Sequence, residues 1–332
     1  MMNRFAARKG LAFLVVLLLA MSATTAWAVT PTVVWQKAGL KTGPSTHAFS
    51  VDGTVLLVNT SAGFELRRTS DGALLNTVTL PAASLTYKDA ALSPDKQLIA
   101  LVLDNRSIEL WRVSNSTVAR TIPTDAVRDI KWVGLSNTFV ATIERFAYGG
   151  GGMLRVHNVA TGALVKAALA IHNSSPAMVK FSPNGQYLSY PDHYAVSGFV
   201  VLRTSDWATA LTVPGTTTFA WSPDGGSLWT DDYRRVRVPD GAVLQTVPPH
   251  PDTVVEAYTP DNQFFLADVF ANFQFTNVLQ FLRTSDASVR VTYTFPGVTA
   301  VYGGRIDSTG KFFTYSTCST ECTVYVARVP AL

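Results

Sequence analysis

One short phrase recurs along this chain, and its recurrence limits the fold more than any other feature. An aromatic or apolar residue is followed by Ser-Pro-Asp-Gly, or a worn form of it, and then by an apolar run. The copies are Phe49-Ser50-Val51-Asp52-Gly53, Leu92-Ser93-Pro94-Asp95-Lys96, a weak copy starting at Trp132, Phe181-Ser182-Pro183-Asn184-Gly185, Trp221-Ser222-Pro223-Asp224-Gly225, Tyr258-Thr259-Pro260-Asp261-Asn262 and Ile306-Asp307-Ser308-Thr309-Gly310. Their leading residues are separated by 43, 40, 49, 40, 37 and 48 positions. A near-constant period of this size marks a repeat architecture. Seven copies fill residues 29–332 and leave no room for a second domain.

A second phrase follows each of the first six by about 15 to 25 residues. It reads Leu66-Arg67-Arg68-Thr69-Ser70-Asp71-Gly72, Leu110-Trp111-Arg112-Val113-Ser114-Asn115, Val156-His157-Asn158-Val159-Ala160-Thr161-Gly162, Leu202-Arg203-Thr204-Ser205-Asp206, Val236-Arg237-Val238-Pro239-Asp240-Gly241 and Leu282-Arg283-Thr284-Ser285-Asp286. Both phrases carry turn chemistry. Pro presets φ, Asp or Asn bonds the backbone just ahead, and Gly takes positive φ without steric cost. The runs between them, such as Gln97–Val102 and Ser107–Trp111, are rich in β-branched and aromatic residues and suit strands. Each repeat therefore reads as four short antiparallel strands, the blade of a propeller. The last repeat stops after its third strand, near Arg328, and Thr32–Gln36 stands before the first repeat as a spare strand. The expected fold is all-β: a seven-bladed β-propeller of four-stranded antiparallel blades, closed by the N-terminal strand pairing into the last blade. Closure would remove exposed strand edges.

The segment Leu103-Asp104-Asn105-Arg106-Ser107-Ile108-Glu109-Leu110-Trp111 resembles the third strand of a WD repeat with its preceding Asp. The whole of residues 29–332 is similar to divergent WD-repeat-like propellers of the YVTN or TolB type. No blade has the Gly-His or Trp-Asp pair, so the hydrogen-bond network of Asp, His, Ser and Trp is not expected. The resemblance implies a binding scaffold and no particular ligand.

The first residues read as an address. Arg4, Arg8 and Lys9 precede the uncharged apolar run Leu11–Ala20, and Ala26-Trp27-Ala28 has the small-x-small form of a cleavage site. Residues 1–28 are read as a signal peptide, which implies a secreted or periplasmic protein. The apolar run is short for a membrane span, which needs roughly 20 residues. The remaining chain holds 24 Lys and Arg against 23 Asp and Glu, with no basic block. That balance speaks against nucleic-acid binding, which draws on clustered cations. No membrane span is expected in the mature chain, and a monomer is expected.

Little in the sequence points to catalysis. None of His47, His157, His172, His193 and His250 has a partner at metal-ligand spacing, and there is no nucleophile elbow or calcium loop. The run Gly149–Gly152 lacks the Lys-Ser/Thr of a phosphate loop and reads as a hairpin tip. No cofactor is expected. Cys318 and Cys322, alone in a chain bound for an oxidising compartment, are expected to form a disulfide across the last repeat's middle hairpin.

Both phrases should lie on one face of the disc. The opposite face then carries longer, variable connections, and such loops on a rigid scaffold are where function concentrates. They include 143–152, 191–198, 268–277 and the stretch around His250. Their aromatic and imidazole side chains, Phe146, Tyr148, His193, Tyr194, His250, Phe270 and Phe273, form the candidate binding face for a protein or peptide. A carbohydrate- or small-ligand-binding propeller is the alternative. An enzyme drawing its acids from several blades, or a quinoprotein-like subunit, is a more distant one.

Overall fold

The computed structural model describes residues 28–332, apart from 41–46, 86, 104–106, 125–128, 146–150, 172–178, 192–197, 217–218, 231, 249, 251–252, 272–273, 299 and 319–321. The protein is all-β and is built from repeated antiparallel quartets of strands. Three stand as separate sheets in simple meander order: Asp129–Leu135, Phe139–Arg145, Gly151–Asn158 and Leu164–Ile171; Lys180–Phe181, Tyr187–Pro191, Gly198–Arg203 and Thr209–Pro214; Phe219–Trp221, Ser227–Thr230, Arg234–Arg237 and Val243–Thr246. A fourth comprises Asp89–Leu92, Leu98–Val102, Ser107–Arg112 and Thr117–Pro123.

Two sheets are larger. The quartet Thr253–Tyr258, Phe264–Ala271, Gln274–Arg283 and Val289–Thr294 carries Ala28–Val29 as a fifth strand, parallel to its outer edge, with Ala28 opposite Thr292 and Val29 opposite Tyr293. This addition departs from a simple ring of quartets. The eight-stranded sheet contains both ends of the chain. There Val301–Ile306, Phe312–Cys318 and Cys322–Arg328 are completed by Val33–Leu40, which pairs antiparallel with Cys322–Arg328, Val33 opposite Ala327. A single pairing, Leu40 with Thr60, links that quartet to His47–Phe49, Val55–Thr60, Gly63–Arg68 and Leu74–Thr79.

The middle strands of each quartet are buried on both faces, which is why they read as unbroken apolar runs such as Val55–Val58 and Leu98–Val102. Their side chains interdigitate with those of the neighbouring quartet. Ala141, Ile143, Leu154 and Val156 pack with Leu188, Tyr190, Val200 and Leu202. Phe281 and Tyr293 pack with Phe313 and Tyr315. Leu56 and Val58 meet Val324 and Val326, so the first and last quartets share a core. Burying one such side chain fully contributes about 1.5–3 kcal/mol.

The third copy of the repeat is displaced from its sequence reading. Trp132 sits within Asp129–Leu135, opposite Ile143, and the turn begins at Ser136, whose N–H and Oγ engage Phe139. The leading residue is therefore Leu135. It lies 43 positions after Leu92 and 46 before Phe181, closer to the common period. The three-residue turn lacks Pro, Asp and Gly, which hid it.

Candidate functional site

The turn phrases fold as their chemistry dictates. In Ser222–Gly225 the Ser222 hydroxyl donates to Asp224 Oδ1 at 2.5 Å and accepts from the Ser227 N–H at 2.9 Å. Ser50, Ser93, Ser182 and Thr259 make the same pair of bonds. Asp307 replaces the hydroxyl and accepts directly from the Phe312 N–H at 2.8 Å. The fourth position is left-handed in every one of these: Gly53, Lys96, Gly185, Gly225, Asn262 and Gly310 have φ between 58° and 71°. In the second phrase an Arg–Asp pair three residues apart recurs, at Arg68–Asp71, Arg203–Asp206, Arg237–Asp240 and Arg283–Asp286.

The two kinds of turn are tied together within each repeat. The N–H of Thr69, Val113, Val159, Thr204, Val238, Thr284 and Val329 donates to the carbonyl of Thr54, Gln97, Thr138, Gln186, Gly226, Gln263 and Lys311 respectively, at 2.8–3.0 Å. Both phrases thus lie side by side at one end of their sheets. A groove of about 620 Å³ opens among these turns, lined by Arg68, Lys96, Lys311 and Phe312 among others.

The candidate loop residues fall mainly elsewhere. Phe146, Tyr148, His193, Tyr194 and Phe273 lie outside the described residues. Phe270 is not in a loop: it belongs to Phe264–Ala271 and is in register with Phe275, because the alternating aromatic run carries the hairpin to residues 272–273. In the same way Gly151 and Gly152 open a strand, with residues 146–150 between it and its predecessor. His250 is half-buried, and its carbonyl accepts from Tyr233 Oη at 3.2 Å and Thr253 Oγ1 at 3.1 Å. His157 lies buried in a strand with Nδ1 3.1 Å from the Gly162 carbonyl oxygen. Cys318 and Cys322 are in register across their hairpin with their sulfurs at disulfide distance.

A cluster that sequence reading missed sits on the first strands of the quartets. These strands contact one another in succession: Asp89–Leu92 with Asp129–Leu135, then Lys180–Phe181, and Phe219–Trp221 with Thr253–Tyr258, then Val301–Ile306. The residue just before each turn's leading residue is Ala48, Ala91, Gly134, Lys180, Ala220, Ala257 and Arg305. Five are small and two are cationic. Arg305 Nη1 donates to Glu256 Oε2 and to the Gly304 carbonyl, both at 2.9 Å. Gly304 permits this approach, since a Cβ there would lie 2.9 Å from Leu266 Cδ2 and 3.4 Å from Glu256 Cβ. The Lys180 ammonium stands 5.9 Å from the Phe219 ring centroid, at the outer range of a cation–π contact.

The electrostatics of this cluster are unusual for surface charges. Burial, followed by the like charge of Arg305, brings the Lys180 ammonium down to about 7 against the pull of Glu256. Asp268 is 2% exposed. Burial first, and then the Glu256 carboxylate beside it, push its carboxyl far above the carboxylate range, with Arg305 opposing. The cluster therefore holds a buried acid that keeps its proton beside the Glu256–Arg305 ion pair, and a lysine whose charge is weakened by burial. Among the described residues no three His, Cys, Asp or Glu side chains are placed to hold a metal ion. The signal in sequence was Asp268, a lone acid within Phe264–Phe270, and Lys180 between Val179 and Phe181. Buried polar residues are the informative ones.

No protein-family model matches the chain, and no curated protein matches it. Among solved structures it is similar to a chain in the crystal structure of the mitotic checkpoint complex, with a TM-score of 0.67, 14% identity, and coverage of 98% of this chain and 99% of that one. At that identity the likeness concerns the fold alone. Together with the repeated antiparallel quartets, it fits a WD-repeat-like β-propeller.

Proposed function

We propose that the quartets are seven blades of one propeller, closed by Val33–Leu40, and that it is an exported, non-catalytic scaffold for a protein or peptide partner. Contacts between successive blades support the closed count. Lys96 Nζ pairs with Asp52 at 2.6 Å, the Asp95 N–H donates to Asn137, and Gly134 lies against Val179. Lys180 faces Phe219, Asn184 donates to the Asp224 carbonyl and Trp229 Nε1 to Asn262. Gly310 abuts Pro260, and Gly53 abuts Ser308, which returns to the first blade. Export rests on the leader reading of residues 1–28.

The observation that carries the functional reading is the asymmetry of the two faces. One is occupied by turns locked to each other by backbone bonds. The hairpins at the other end differ in length, from residues 61–62 between Thr60 and Gly63 to 192–197 between Pro191 and Gly198. A rigid frame with unequal loops is a recognition surface. The near balance of 24 Lys and Arg against 23 Asp and Glu in residues 29–332 favours a protein or peptide over nucleic acid.

The test is capture on immobilised residues 29–332 from an extract of the protein's own compartment. The control changes Tyr148, Tyr194, Phe270 and Phe273 to Ala. A single protein retained by the wild type and lost by the variant is the expected result. Retention of nothing, or equal retention by both, overturns the reading; a retained glycan instead moves it to carbohydrate binding.

A further inference from the structure

We infer that the groove between the first and last quartets, at the turn end of the sheets, binds an extended peptide segment in which acidic and apolar side chains alternate. It is a second site, at the end opposite the unequal loops. The repeats show what the fold requires at each position, and three departures from their pattern meet here. The carbonyl that ties the two turns together belongs to an uncharged residue in six copies, Gln in three of them, and to Lys311 in the last. Arg68, Arg203, Arg237 and Arg283 each pair with an Asp three residues on. Arg328 is the matching residue of the last copy, but Ala331 stands in the place of the Asp. Its guanidinium instead lies 5.9 Å from the Phe312 ring centroid. The third departure is Thr69, whose buried Oγ1 has no hydrogen-bond partner among the described residues. The matching hydroxyls of Thr204 and Thr284 donate to the Gly185 and Asn262 carbonyls at 2.8 and 2.7 Å.

The groove, of about 620 Å³, falls in the size range of ligand clefts. Val55, Leu66 and Leu75 of the first quartet line it together with Lys311 and Phe312 of the last. Leu75, although apolar, is 47% exposed. The other charges in the lining are already matched. Arg68 pairs with Asp71 and Lys96 with Asp52, and Asp307 accepts from the N–H groups of Thr309 and Phe312. Lys311, next to Phe312 in the chain, and Arg328, opposite Phe312 in register, make no ion pair among the described residues. Acidic side chains on a ligand supply the missing charge. Successive side chains of an extended chain point to opposite sides. Acids directed at the last quartet therefore send the intervening side chains towards Val55, Leu66 and Leu75, which calls for apolar ones. Arg68, Ser70, Thr309 and Lys311 are exposed, so the groove is open at its rim, as the passage of a longer chain requires.

The test is fluorescence anisotropy of the intact protein with a short labelled peptide of alternating Glu and Leu. The same peptide with Gln for Glu is the comparison, and unlabelled decanoate is the competitor. Two variants restore the pattern of the other repeats and should fold, which thermal melts verify. Lys311→Gln installs the residue of three other copies, and Ala331→Asp gives Arg328 the partner its counterparts have. The Glu peptide should bind with an affinity that falls as salt is added, and the Gln peptide at least about tenfold more weakly. Each variant should weaken the Glu peptide roughly two- to fivefold, the loss of one part-exposed ion pair, and the double variant about tenfold. Changing Tyr148, Tyr194, Phe270 and Phe273 to Ala should leave this binding as it is, which separates the groove from the loop face. No binding of the Glu peptide, equal binding of the two peptides, binding untouched by the double variant, or loss in the loop-face variant would overturn the proposal. Displacement of the peptide by an equal concentration of decanoate would overturn the peptide assignment in favour of a small amphipathic acid.

Discussion

The turn phrases and the inner-strand cluster are neighbours in every repeat, yet they obey opposite rules. Ser182 to Gly185 repeats the chemistry of Ser222 to Gly225 almost atom for atom, down to the left-handed Gly. Two residues earlier, Lys180 breaks a position that is Ala or Gly in five other copies. The contrast separates what the fold needs from what it tolerates. A turn fails if its hydroxyl, its Asp or its left-handed residue is lost, because buried backbone donors then go unpaired. The position before it makes no turn bond, and it holds Ala or Gly in five copies and a cation in two.

The strongest challenge to this division is Asp268→Asn. In the wild type the folded carboxyl holds its proton well above the unfolded value near 3.9, so stability from this group falls as pH rises beyond about 4. The Asn variant lacks that slope. Relative to the wild type it should gain stability steadily between about pH 5 and 7, by roughly 1–3 kcal/mol in denaturant melts. A constant difference across that window would mean that Asp268 is ionised in the fold.

The turns can be probed by a matched pair. A Cβ on Gly225 would lie 2.6 Å from the Asn184 side chain, in a backbone at φ 70°, so Gly225→Ala should cost about 2 kcal/mol or more. Gly185 has the same φ but nothing within 4 Å, and Gly185→Ala should cost only about 1 kcal/mol. Equal losses would show that the turns do not bear on one another. The smallest effect is expected at Lys96, which holds φ 63° while its ammonium pairs with Asp52. Lys96→Gly relieves the backbone but forfeits a part-exposed ion pair worth about 0–1 kcal/mol, for a net gain below about 1 kcal/mol by thermal melt. Acid should erode the turn face collectively. Asp206, Asp240 and Asp286 are held below the usual carboxylate range first by Arg203, Arg237 and Ser288 side-chain bonds and then by backbone N–H groups, and Asp71 first by the Ala73 N–H and then by Arg68. Their contribution is present above about pH 4 and lost as pH falls towards their lowered values.

The repeat was legible in the sequence because turn chemistry is local: Ser222, Asp224 and Gly225 announce themselves within four residues. The third copy was misplaced by three positions because its turn, Ser136 to Phe139, uses one hydroxyl and no Pro or Gly. The cluster was invisible for the opposite reason. Lys180 and Arg305 are 125 residues apart, and only the fold brings them near enough for one charge to act on the other. Nothing local marks them except that each is a charge beside buried residues. Phe270 was misread because an aromatic near a hairpin looks alike whether the strand ends before it or after it.

The pairing of Val33–Leu40 with Cys322–Arg328 has a consequence for the order of assembly. Val33 is made 294 positions before its partner Ala327. At about 5–20 residues per second, the early strand waits some tens of seconds for a counterpart. Until then every quartet between them can form, but the shared core of Leu56, Val58, Val324 and Val326 cannot. A chain truncated before Cys322–Arg328 is thus a set of sheets in which Val33–Leu40 lacks this partner strand. Pairing of these two strands is the event that joins the first and last quartets through one core.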